Sequence, residues 1–221
     1  MIQARFRKDY DGEFVLTKTT FKGGKKTEAR EWMPNPIINQ HISGRAAVIG
    51  SSVDQQQFNY PILQSHRGGL LGSKKLQTYG TGDVWKNMRL DFYVTTNTSI
   101  IPEVKDANYN ESTPLYTNTS NALKNPGHFY IVPFSPVLDD LALALYLAAF
   151  DGHKEIYMLG YTNDTVADNS NWITNVNTVI QTYADVTFYP VGVEPNIPKY
   201  WRYHKNVKCL DYRSFVSFAD V

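Results

Sequence analysis

The sequence predicts an α/β fold, a mostly parallel sheet flanked by helices, with an N-terminal β-hairpin extension. Three observations carry the prediction. Residues 136–161 (PVLDDLALALYLAAFDGHKEIYMLGY) read as a helix, a tight turn and a buried strand. Ala46-Ala47-Val48-Ile49 is a second buried-strand run, and it ends in the small residues Gly50-Ser51-Ser52. Five more strand-length runs, at 68–74, 90–96, 129–134, 186–191 and 206–210, are interspersed with helical stretches, as expected of parallel strands joined by crossovers.

Residues 1–43 form a basic hairpin or meander extension. Ala4 to Lys8 and Glu13 to Thr20 flank Asp11-Gly12, a strong hairpin signal, and a second turn falls at Gly23-Gly24 before Thr27 to Met33. Arg5, Arg7, Lys8, Lys18, Lys22, Lys25, Lys26 and Arg30 outnumber the acids of this stretch. It reads either as a solvated cap on the sheet or as a docking surface for a polyanion such as DNA, in which Arg5, Arg7, Lys22, Lys25 and Lys26 would meet phosphates. Pro34-Asn35-Pro36 closes it.

Residues 44–221 read as one α/β domain. Helices are expected at Val53 to Gln64, over 137–150, and at Asn175 to Tyr183. In the second of these, Leu141, Leu145, Ala148 and Ala149 recur at helical spacing. Asp139 and Asp140 sit in its first turn, where carboxylates suit the helix dipole, and Ser135 is the expected N-cap. Asp151-Gly152 ends the helix, and Ile156 to Leu159 is the strand that follows. Two polar loops, 97–127 and 162–174, are the candidate lid or binding loops. Asp211 to Val221 reads as a terminal helix or an edge extension.

Composition narrows the classes. An apolar fraction of 42% over 221 residues is enough for a substantial core. A net charge of +1 argues against binding nucleic acid with the whole surface, though a local patch remains open. The single cysteine, Cys209, has no partner for an internal disulfide and reads as a buried thiol in a strand. No apolar leader follows Met1, and helical apolar runs reach only about 12 residues, short of a bilayer span. A cytoplasmic protein with no membrane partner is expected.

In an open α/β sheet, ligands bind beyond the carboxyl ends of the strands. That rule singles out Gly50, Ser51 and Ser52 after one strand and Gly160, Tyr161 and Asn163 after another. Small residues there let the backbone approach a phosphate or ribose. Ser73 and Lys74 end a further strand candidate, where a lysine would neutralise a leaving diphosphate. Ser135 stands beside free helix amides. Asp164 and Asp168, on the loop after Gly160, are the carboxylates placed to deprotonate an acceptor hydroxyl or to steady a cationic transition state. The chain has no GxGxxG, Walker lysine, HExxH or GxSxG motif, so a zinc enzyme and a hydrolase triad are not indicated, and no metal site is expected. The histidines are scattered. His153 precedes its strand and is expected on the surface at the amino end of the sheet.

These residues resemble the bacterial sialyltransferases of the Campylobacter lipooligosaccharide type. Val48-Ile49-Gly50-Ser51-Ser52 stands where that family has a strand running into Gly-Asn-Gly-Pro-Ser, without the Asn and Pro. Phe134-Ser135-Pro136 stands at its Thr-Ser-Gly. Gly152-His153-Lys154-Glu155-Ile156-Tyr157-Met158-Leu159-Gly160 is similar to its Gly-Tyr-Lys-Glu-Ile-Tyr-Leu-Ser-Gly. The likeness covers about 45–100 and 130–192. It implies a GT-A-like or Rossmann-like domain and a nucleotide-binding role for Gly50, Ser51, Ser52 and Ser135, with Ser73 and Asn97 beside them. The family's lid histidine has no counterpart between Tyr161 and Tyr183. The short lid and basic hairpin also look like the small DNA glycosyltransferases of T-even-like phages. That resemblance implies transfer of arabinose or glucose, without a cofactor, from a nucleoside diphosphate sugar (a UDP-sugar first) to 5-hydroxymethylcytosine in double-stranded DNA, in the host cytoplasm. The other readings are an enzyme acting on a surface glycan and a non-catalytic nucleotide- or DNA-binding module.

Overall fold

The structure, a computed structural model, describes residues 2–5, 14–33, 44–50, 63, 76–162 and 170–219. Nine strands appear in chain order: β1 (Phe14–Lys22), β2 (Lys25–Met33), β3 (Arg45–Ile49), β4 (Gln77–Gly80), β5 (Phe92–Val94), β6 (Leu115–Thr117), β7 (Tyr130–Ile131), β8 (Glu155–Leu159) and β9 (Thr187–Val191). Six helices are described: α1 (Ile100–Asp106), α2 (Thr119–Lys124), α3 (Asp140–Phe150), α4 (Asn171–Thr182), α5 (Lys199–Arg202) and α6 (Tyr212–Ala219).

All nine strands share one sheet, in the order β2-β1-β7-β6-β5-β4-β3-β8-β9. Seven, from β7 to β9, are parallel. The hairpin of β1 and β2 turns at Gly23-Gly24 and joins the β7 edge antiparallel through Phe14 and Tyr130. The fold is therefore Rossmann-like, as the sequence predicts. From β3 the chain winds outward to β7, then returns through α3 to lay β8 on the other side of β3. Right-handed crossovers running in opposite directions put their helices on opposite faces, and the strand order reverses between β3 and β8.

Strand alternation sorts the core into two layers. Ala46, Val48, Ile156 and Met158 point to the layer under α3 and α4. Ala47, Ile49, Tyr157 and Leu159 point to the layer of α1, α2 and α6. Residues 142–150 are all buried, so α3 is apolar around its whole circumference and lies in the middle of its layer.

Several elements depart from the sequence reading. The segment 97–127 is not one loop: α1, β6 and α2 lie within it, each too short to leave a strong period. The helix expected from Asn175 begins at Asn171, because Trp172 and Ile173 are held by Trp201. Asp139, not Ser135, caps α3, its side chain accepting from the Ala142 amide at 3.1 Å. The run 206–210 makes isolated parallel bridges, Val207 to Phe188 and Leu210 to Val191, rather than a strand, so half-buried Cys209 lies outside the ladder. His153 is fully buried, not on the surface. Its Nε2 lies 2.9 Å from the Tyr79 hydroxyl, which also donates to Asp151 at 2.6 Å. The strand expected at 68–74, the turn at Asp11-Gly12 and, apart from buried helical Leu63, the helix from Val53 to Gln64 lie outside the described residues. Among those residues, no helix is long and apolar enough to cross a membrane.

A candidate ligand rim at the strand switch point

The carboxyl ends of β3 and β8 meet at the switch point. The Gly50 amide donates to the Leu159 carbonyl at 2.8 Å, and the Thr81 amide donates to Ile49 at 3.2 Å. A methyl group added at Gly50 would stand 2.8 Å from the Gly160 carbonyl oxygen and 2.5 Å from Leu141 Cδ2. Only glycine lets the two turns and the start of α3 close so tightly. Gly160 itself has φ of 71°, the left-handed region that glycine enters without strain.

Small polar residues continue along the rim. β4 ends in Gly80-Thr81-Gly82, β5 in Thr95-Thr96-Asn97 and β6 in Thr117-Asn118-Thr119. Asp140 gathers the β5 end: its carboxylate accepts from Thr95 Oγ1 at 2.9 Å, from the Thr96 amide at 2.7 Å and from Thr96 Oγ1. Asn121 Nδ2 donates to the Thr96 carbonyl at 2.9 Å, tying β5 to α2. Asn97 is exposed. Its side-chain carbonyl accepts from the Ser99 amide and hydroxyl at 3.0 and 2.6 Å, while its Nδ2 has no partner among the described residues. The rim is thus built of hydroxyls and amides on a rigid frame, and the carboxylates of Asp139 and Asp140 are spent on the chain itself.

After β7, Phe134 and Ser135 have φ of 58° and 40°, left-handed values that cost side-chain-bearing residues energy. The Ser135 hydroxyl lies 2.7 Å from Thr119 Oγ1, which brings the β7 turn to the start of α2. Phe134 is half exposed and receives the Arg5 guanidinium 4.3 Å from its ring centroid. These two residues line a cleft of about 390 Å³ with Pro136, Val137 and Tyr146.

Of the residues the sequence singles out, Gly50, Gly160, Asn97 and Ser135 all stand at strand ends on the carboxyl side. Tyr161 stands there too, but with a different part. Its ring is 1% exposed and its hydroxyl donates to the Leu141 carbonyl at 2.7 Å. Burial, and then the charge of Asp139, push its phenol well above the usual range. It supports α3 from below and presents no face to a ligand. Ser51, Ser52, Ser73, Lys74, Asn163, Asp164, Asp168 and Arg7 lie outside the described residues. Arg5 is not brought to the lysines of the hairpin turn. The Arg5 guanidinium lies on Phe134 and its carbonyl accepts from the Tyr183 hydroxyl at 2.9 Å, whereas Lys22, Lys25 and Lys26 are exposed at the hairpin turn, roughly 26 Å of strand from Phe14. Thr95, Thr96 and Asp140 were missed as a unit, although the paired threonines at a strand end were a visible signal.

No group of three or more His, Cys, Asp or Glu side chains among the described residues is arranged to hold a metal ion. No protein-family model matches the chain, and comparison with curated proteins and with solved structures finds no match.

Proposed function

We propose that the protein is a glycosyltransferase that moves a sugar, arabinose or glucose, from a nucleoside diphosphate donor to 5-hydroxymethylcytosine in phage DNA. One observation carries the reading: the turns after β3 and β8 abut through Gly50 and Gly160 at the switch point, where an α/β sheet takes its ligand. The donor would lie over Gly50, with its ribose and phosphates among the hydroxyls and amides of Thr96, Asn97, Thr119 and Ser135. Ser51, Ser52, Ser73 and Lys74 would complete the diphosphate contacts. Asp164 or Asp168 would take the proton of the acceptor hydroxyl, and no metal is required for this step. The acceptor group lies in the major groove, so transfer proceeds either in the duplex or after base flipping.

The test has two stages. UDP, GDP and CMP are compared for thermal stabilisation, since a ligand that binds only the folded chain raises its Tm. The matching sugar nucleotides are then incubated with duplex DNA containing hydroxymethylcytosine, and the bases are weighed by mass spectrometry. Stabilisation by UDP and a pentose or hexose mass gain on the modified base are expected. Stabilisation by CMP alone, with no gain on DNA, would transfer the site to a glycan acceptor. Failure of all three nucleotides to bind would remove the donor site.

A further inference from the structure

The segment from Lys199 to Lys208 is built differently from the rest of the surface. Its inward residues are pinned to α4 one after another. Trp201 is fully buried, donates from Nε1 to the Ile173 carbonyl at 3.2 Å and meets Trp172 edge-on at 5.7 Å. His204 Nε2 lies 2.7 Å from Asn177 Oδ1. Asn206 Nδ2 lies 3.1, 3.2 and 3.1 Å from the carbonyls of Ile180, Tyr183 and Val186. Between these anchors the outward residues are aromatic and basic. Tyr200 and Tyr203 are 56% and 82% exposed, and Lys199, Lys205 and Lys208 are exposed with no ion pair among the described residues. Two tyrosine rings three residues apart therefore stand in water on a rigid frame.

The electrostatics point one way. No Asp or Glu occurs from Pro195 to Leu210, and α4, which carries the strip, has no charged residue at all. The segment starts beside the N-terminus of α4, on the rim side of the sheet, and descends along that helix. Fixed aromatic faces interleaved with lysines are the means by which proteins hold an unpaired nucleic-acid strand: rings stack on bases and ammonium groups meet phosphates.

We infer that the strip of Lys199, Tyr200, Tyr203, Lys205 and Lys208 binds single-stranded DNA. In the proposed enzyme it would hold an acceptor that reaches the rim as a single strand, where the base needs no flipping. This deepens the acceptor reading and rests on it for purpose, but binding itself needs no donor and no modified base.

The test uses the full chain and a labelled DNA strand of about 20 nucleotides, with its duplex as comparison. Tyr200→Ala and Tyr203→Ala are each expected to weaken single-strand binding at least about fivefold, and to weaken duplex binding less. The triple variant Lys199→Ala, Lys205→Ala, Lys208→Ala is expected to flatten the log-log salt dependence by about 2 units. The Tm of each variant without ligand should match the parent's, which shows folding, and any UDP-induced rise should be unchanged, which separates this strip from the donor site. Unchanged affinity and salt slope would overturn the inference. So would equal losses on duplex and single strand, or strip-dependent binding of phosphatidylserine vesicles without binding of DNA.

Discussion

Gly50 and Gly160 face each other across the switch point so closely that a β-carbon on the first would meet the carbonyl oxygen of the second at 2.8 Å. That obstacle is backbone, fixed by the β3–β8 ladder, so it cannot swing aside. Gly50→Ala is expected to cost about 1–3 kcal/mol through overpacking, a fall in Tm of roughly 2–12 °C for a chain of this size. Residual folded Gly50→Ala protein should also lack the nucleotide-induced rise in Tm that the proposed donor site predicts. A variant as stable as the parent would show that the two turns are not in contact.

Asp140 is the second point at which the rim can be tested. It accepts from the Thr96 amide and from the hydroxyls of Thr95 and Thr96, and an amide in its place has one oxygen where the carboxylate has two. Asp140→Asn should destabilise by about 1–3 kcal/mol, measured as a shift of the denaturant midpoint without a change in slope. Asp139→Ala, which removes only the cap and its bond to Asn175, should cost about 1 kcal/mol. Reversal of that order would mean that Asp140 does not organise the β5 end.

Asn206 holds the end of α4 with one amide group shared among three carbonyls. Asn206→Ala should cost about 1–3 kcal/mol by removing the donor to the Ile180 and Val186 carbonyls, while the Tyr183 carbonyl keeps the Val186 amide at 3.0 Å. Asn206→Asp should cost more, because a carboxylate has nothing to donate and would face the same oxygens. Thermal unfolding of the two variants side by side decides the point.

The alkaline limb of stability follows from the buried phenols. Burial pushes Tyr183 up to about 12 from its ordinary 10.0, and Tyr161 is raised well above its ordinary value. Below pH 10 these phenols are neutral in folded and unfolded chains alike, and their contribution is fully present. Above it the unfolded chain releases protons that the folded chain keeps, so stability falls as the pH rises from about 10 towards 12. Phenolate absorbance should therefore lag in the native state and rise with unfolding, and Tyr161→Phe should remove one late phenol. Ordinary titration of every tyrosine before any loss of structure would refute the burial.

Much of the frame was legible in the residues. The strand read from Ile156 to Leu159 and the one read from Ala46 to Ile49 each began one residue earlier, and α3 began three residues later than expected. These elements are long or strongly apolar, so local pattern suffices. The elements inside 97–127 escaped because three-residue strands and helices of six or seven residues show no usable period, and their stability comes from neighbours. Tyr161 and His153 were misjudged for the same kind of reason: polar handles hid their burial, and only their partners Leu141 and Tyr79 reveal it.

By itself the sequence determined the α/β class, the basic hairpin, and the small-residue turns at Gly50 and Gly160, because hydrophobic period and glycine chemistry act over a few neighbouring residues. The tertiary structure alone decided that those turns are adjacent, since the pairing of Val48 with Met158 spans more than a hundred residues of chain and leaves no local trace. It also decided that Asp140 belongs to the end of β5, and that Tyr200 and Tyr203 stand outward while Trp201 is buried. Burial is a property of the assembled layers, and three aromatic residues in one short run look alike until a helix covers one of them.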